Sequence, residues 1–157
     1  MEPNSSQSEV FAIETHAGRL WAGIILVALL GPALAVASVP VAPARLALAL
    51  VAVLGLGAFA MAWSGFQYRF MAQGLEIRLL GFRLRSIPRS AILSYAVERW
   101  AFIRGYGIRG LGRTRAYVWC NKVVHVQLST GDVYLGHNDP ERIVRDLDQM
   151  MGFVTRG

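Results

Sequence analysis

Two long runs without a single charge constrain this chain more than any other feature. Residues 20–39 carry no charge over twenty positions, and residues 46–64 carry none over nineteen. As helices rising 1.5 Å per residue, each reaches across a ~30 Å hydrocarbon core. The six residues between them include Pro40, Pro43 and Arg45, which predicts a tight turn and a transmembrane helical hairpin over residues 20–64. Pro32 lies inside the first run, where a kink is tolerated if neighbouring helices satisfy the freed backbone. The spacings Gly31/Ala35 and Ala58/Ala62 suit close helix contact.

Basic residues set the expected orientation. The short connection has only Arg45, and only Arg19 precedes the first run. Downstream of the second run come Arg69, Arg78, Arg83, Arg85 and Arg89. The expectation is a multi-pass protein of the inner (cytoplasmic) membrane with both termini cytoplasmic. Trp21 and Trp63 then act as interface anchors at that same side. A cleaved signal peptide ending near Ala35-Val36-Ala37 is the competing reading. It is disfavoured because residues 1–19 hold Glu2, Glu9 and Glu14 against the single base Arg19, whereas signal peptides start positive. Residues 1–19 are predicted to be a flexible polar tail.

From residue 66 onward the pattern changes from continuous apolar runs to alternation broken by turns. Leu75-Glu76-Ile77-Arg78-Leu79 and Phe82-Arg83-Leu84-Arg85-Ser86-Ile87 alternate as half-buried strands. Val124, Val126 and Leu128 share one face of a later strand, and Ser129-Thr130-Gly131-Asp132 reads as a hairpin turn. Residues 139–151 predict a C-terminal helix. Asp139 is placed to cap it, Pro140 suits its first position, and Ile143, Val144, Leu147, Met150 and Met151 make one apolar face. The expected fold class is α+β with a membrane anchor: the hairpin, then six or seven antiparallel strands over residues 66–157 closed by one helix.

Charge gives the sharpest candidate site. Residues 66–157 contain fourteen bases, thirteen of them arginine, and seven acids, a net of +7. The segment 99–115 holds Arg99, Arg104, Arg109, Arg113 and Arg115 with no acid. Each base near an anionic leaflet gains about 1 kcal/mol, so Arg104, Arg109, Arg113 and Arg115 are candidates to face the membrane or an anionic partner. The alternative is that they only solvate a loop. Nucleic acid is not an expected partner, because no aromatic-basic recognition motif accompanies the charge. Gly105-Tyr106-Gly107-Ile108-Arg109-Gly110 matches a dinucleotide fingerprint by letters alone, since no strand–helix context surrounds it. No catalytic, metal or cofactor site is expected. His16, His125 and His137 stand in unrelated contexts, and Cys120 and His125 fall on opposite faces of one strand.

The ordered set of strands, Gly81-Phe82-Arg83-Leu84-Arg85-Ser86-Ile87-Pro88, Gly107-Ile108-Arg109-Gly110, and a hairpin ending Gly136-His137-Asn138-Asp139-Pro140-Glu141 before a helix resembles the bacterial pleckstrin-homology-like domains. The resemblance covers roughly residues 66–151. It implies a seven-stranded bent sheet or barrel with a C-terminal helix, often preceded by two membrane helices. The loop Met71-Ala72-Gln73-Gly74 has no base, so the inositol-phosphate grip of eukaryotic relatives is not carried over. The expected function is a non-enzymatic, membrane-tethered cytoplasmic module that binds another membrane protein or itself. A lipid-surface sensor using the arginines, or an accessory subunit of a membrane enzyme or transporter, are the alternatives.

Overall fold

The computed structural model describes residues 10–38, 42–101, 104–110 and 112–152, with the side chains of 32, 33, 35–38 and 42 excepted. The chain divides into two compact units. One is built from the segments 1–16 and 66–157, the other from 17–65.

The 17–65 unit is a pair of helices, α1 (Arg19–Ser38) and α2 (Ala42–Ser64). The Gly18 N–H donates to the Ala62 carbonyl at 2.8 Å, and Ala22 and Ala62 are fully buried. Gly55 admits Leu29 so closely that a Cβ would stand 2.2 Å from its Cδ2. Close contact is therefore made by Ala22, Ala62 and Gly55. A Cβ added at Gly31 would meet nothing within 4 Å, and Ala58 is exposed; Ala35 lies outside the described side chains. Leu20, Val27, Leu30, Leu46, Leu50, Val53, Leu54 and Leu56 are all more than half exposed. A helix apolar all round suits lipid rather than water. By length and apolarity, one helix among the described residues qualifies as a membrane span, Pro43–Ser64. The expectation of two spans is corrected to that extent: the apolar stretch described in α1 is the shorter Arg19–Gly31, which rises only about 20 Å.

The second unit corrects the expected single seven-stranded sheet. Among the described residues it contains nine strands in two sheets. The first sheet has the order β1-β2-β3-β4, from β1 (Val10–His16), β2 (Phe66–Met71), β3 (Gly74–Leu79) and β4 (Phe82–Pro88). A 3-10 turn at Arg89–Ala91 leads to the second sheet, ordered β5-β8-β9-β7-β6. Its strands are β5 (Ile92–Arg99), β6 (Gly107–Arg109), β7 (Arg115–Val118), β8 (Lys122–Leu128) and β9 (Gly131–Gly136). The expected C-terminal helix is present as α3 (Pro140–Gly152).

Of the polar tail expected over residues 1–19, residues 10–16 form strand β1, and residues 1–9 lie outside the described residues. It pairs antiparallel with β2, from Val10 opposite Met71 to His16 opposite Phe66. Val10, Phe11, Ile13 and Thr15 have the β-branched and aromatic character a strand favours, and β2 offers them a ladder edge. The 17–65 unit is thus an insertion between two paired strands.

One core unites both sheets and the helix. Phe66, Tyr68, Phe70, Leu75 and Ile77 come from the first sheet, Val124, Val126, Val133 and Leu135 from the second, and Ile143, Leu147 and Met150 from α3. The alternation of Val124, Val126 and Leu128 and the helical spacing of α3 put these side chains inside. Tyr68 is completely buried, with its hydroxyl 3.0 Å from the carbonyl oxygens of both Tyr117 and Gly136.

Candidate functional site

The arginine-rich segment folds back over the outer face of the second sheet. On that face Ala116, Val118 and Val123 form a small apolar cluster, with Trp100 buried against it and Tyr106 and Tyr134 packed on its margin. The Trp100 indole N–H donates to the Gly105 carbonyl at 2.8 Å, and its ring lies 5.2 Å from that of Tyr134. Gly105 and Gly110 take φ of 70° and 85°, and a Cβ on Gly110 would meet the Thr114 carbonyl oxygen at 2.2 Å. The glycine pattern therefore serves tight turns; no helix begins there.

The four arginines are all exposed. The Arg104 guanidinium lies 5.4 Å over the Trp100 ring, a cation–π contact of about 0.5–1 kcal/mol at an exposed site. The Arg109 Nε–H donates to the Tyr106 carbonyl at 2.8 Å. Arg113 accepts the Asp132 N–H on its carbonyl at 3.1 Å, so its backbone ties the segment to the β8–β9 hairpin. Arg115 opens β7, opposite Val133. In the helical unit, Trp63 is 60% exposed and stacks on Phe59 at 5.8 Å, while Trp21 is half-buried. The Gly18–Ala62 hydrogen bond brings the start of α1 to the end of α2, so both indoles belong to one end of the hairpin.

Beside Tyr134 lies a charged cluster. His125 Nδ1 is 2.9 Å from Glu98 Oε1, its Nε2 is 2.9 Å from Asp132 Oδ1, and its ring stacks on Tyr134 at 4.5 Å. Partial burial pulls the imidazole pKa down, but the hydrogen bonds and charges of Asp132 and Glu98 outweigh it and the net shift is upward. Both ring nitrogens are engaged, so neither is free to act as a base or ligand. Outward from this cluster, the β5 edge exposes Leu93 (62%) and Val97 (42%). Val97 opens onto a shallow groove lined also by Arg99, Lys122, Asp139 and Glu141. No strand pairs with β5 on that side among the described residues.

A second polar cluster is interior and joins β1, the end of β9 and α3. Glu14 Oε1 is 2.8 Å from Arg142 Nη2, and its Oε2 is 3.5 Å from His137 Nε2. His137 Nδ1 lies 2.7 Å from the Asp139 carbonyl oxygen, at the start of α3. The His16 ring meets the His137 ring edge-on at 5.8 Å, is 2% exposed, and neither of its nitrogens has a partner. Burial, and then the neighbouring His137 charge, lowers its pKa to about 4. Asp146 shifts upward, from burial first and then from the Glu14 carboxylate. Sequence reasoning missed this cluster because it assigned Glu14 and His16 to a tail; the apolar and β-branched residues around Ile13 were the available signal.

Cys120 donates its thiol to the Lys122 carbonyl at 2.9 Å, and burial raises its pKa. A reactive cysteine needs the opposite shift. Among the described residues, no group of three or more His, Cys, Asp or Glu side chains is arranged to hold a metal.

Comparison with protein-family models, curated proteins and solved structures finds no match.

Proposed function

We propose that this chain is a membrane-tethered cytoplasmic binding module, with 17–65 as a two-crossing anchor and the nine-stranded unit as a pleckstrin-homology-like domain. The pairing of β1 with β2 is the observation that carries the reading. The chain leaves the β unit at His16 and re-enters it at Phe66, directly opposite. Both points are therefore on one side of any membrane, and the intervening segment must cross an even number of times. If Pro43–Ser64 crosses, α1 crosses too. Its helical backbone of 20 residues, Arg19–Ser38, is long enough. The excess of arginine in the β unit supports a cytoplasmic placement. The C-terminal helix packed into the sheet core supports the pleckstrin-homology-like reading, while the strand count departs from it.

The recruiting surface on this reading is the β5 edge with Leu93 and Val97, because an open edge offers unmet backbone donors and acceptors to an added strand. The partner is another protein or a second copy of the chain. A photo-crosslinking residue at Leu93 of the full-length protein in cells is expected to give a discrete adduct that Val97→Arg abolishes. An adduct at twice the chain's 17.2 kDa identifies self-association. Equal adduct patterns from Leu93 and from Ala72, an exposed turn residue of the first sheet, would refute the assignment.

A further inference from the structure

The first sheet is asymmetric end to end. Its register places His16, Phe66, Leu79 and Phe82 in one row. This row is the end at which the chain departs for the helical hairpin and returns from it. Just beyond it lies the two-residue β3–β4 turn, Leu80-Gly81. At the opposite end, the β2–β3 turn is Ala72-Gln73, with no large apolar side chain.

The β3–β4 turn is built against local preference. Leu80 has φ 52° and Gly81 φ 83°, the pattern of a type I′ hairpin. The first position of such a turn favours Asn, Asp or Gly, and a left-handed backbone is disfavoured for a branched residue. Leucine occupies it and is 49% exposed, with Phe82 beside it 74% exposed. Two large apolar side chains thus project from a strained tip, where an Asn would be cheaper for folding and solubility. Behind them stand Arg78 and Arg83, cross-strand partners. Arg78 is paired to Glu76 at 3.0 Å, and Arg83, whose side chain is 63% exposed, makes a looser 3.5 Å contact with the same carboxylate.

Chain length fixes how far this tip can be from the bilayer. Only Gly65 separates the end of α2 at Ser64 from Phe66, a reach of under ~8 Å. From Phe66 the tip is one to two strand spacings away, ~5–10 Å. Resting on the proposed anchor, we infer that the β3–β4 turn is an interfacial wedge. Leu80 and Phe82 enter the headgroup–acyl boundary of the same leaflet from which α2 emerges, with Arg83 among anionic headgroups. The occupant of this surface is lipid.

The test places single spin labels in the full-length chain, in a Cys120→Ala background, in liposomes of phosphatidylethanolamine and phosphatidylglycerol. Labels go at Leu80→Cys, Phe82→Cys, Ala72→Cys and Leu54→Cys, the last within α2. Power saturation compares collisions with oxygen, which partitions into lipid, against a water-soluble nickel chelate. The expected oxygen-to-nickel ratio at 80 and 82 is several-fold above that at 72 and below that at 54. Ratios at 80 and 82 equal to that at 72, with 54 deep in lipid, would overturn the wedge while leaving the anchor standing. A water-like ratio at 54 would overturn both.

Discussion

Replacing residues 17–65 by Asn-Gly is expected to yield a water-soluble, cooperatively folded β domain, whereas residues 66–157 alone aggregate. His16 and Phe66 are opposed at the end of an antiparallel pair, and a two-residue type I′ turn is the shortest natural link for such a pair. The joined chain keeps β1, and with it the Glu14–Arg142 ion pair and the Phe11–Phe70 ring contact at 6.5 Å. Without β1 the outer edge of β2 is open, Arg142 loses its carboxylate, and the core strand carrying Phe66, Tyr68 and Phe70 is flanked on one side only. The loss is comparable with the whole ~5–15 kcal/mol that holds a domain folded. Amide dispersion in a proton–nitrogen spectrum and a single unfolding transition check the joined protein. Equal stability with and without residues 10–16 would mean that β1 is an ornament on the sheet.

The second large effect is acid sensitivity set by His16. Its ring is buried without a hydrogen-bond partner, and its pKa in the folded state is about 4 against 6.5 when unfolded. A depressed folded pKa gives stability that is full above pH 6.5 and is lost as pH falls towards 4. Over that window the cost is ~3 kcal/mol, at 1.36 kcal/mol per unit. His137 faces the ring and adds to the penalty, while Glu14 is already held by Arg142. Asp146, shifted upward, acts with the opposite sign as pH falls through its folded pKa. His125, also shifted upward, gives stability below pH 6.5 that fades as pH rises through its folded pKa. Comparing the protein with His16→Phe cancels both contributions. Denaturant unfolding followed by tryptophan fluorescence should show the variant gaining ~3 kcal/mol relative to the parent between pH 7 and pH 4. Parallel pH profiles would show that the imidazole is not what acid attacks.

What the sequence disclosed was local. The helices of the two uncharged runs, the hairpin turn before Gly131 and the helix started by Pro140 each depend on residues close along the chain and lie where expected, although among the described residues only Pro43–Ser64 qualifies as a span. Strand β1 was hidden because its partner β2 begins fifty positions later, past the helical insertion; no local pattern reports a pairing across such a gap. Within residues 66–157 the expected six or seven strands become eight because β6 is only three residues long, and the all-antiparallel expectation fails where β7 pairs in parallel with β9. The arginine segment was legible as charge but not as geometry. Trp100 pins it to the second sheet, with the Arg104 guanidinium over its ring and the Arg109 Nε–H on the Tyr106 carbonyl. The Glu14, His16, His137 and Arg142 cluster draws on three elements, so its members look unrelated until the fold brings them together.

The decisive measurement is sidedness of the insertion. In a Cys120→Ala background, Pro43→Cys reports the start of α2, next to its connection with α1, and Asn138→Cys reports the β unit. In spheroplasts of a bacterial host, a membrane-impermeant maleimide is expected to modify position 43 without lysis and position 138 only after lysis. Modification of both positions before lysis, or of neither, would contradict a hairpin that crosses the membrane twice between two paired strands.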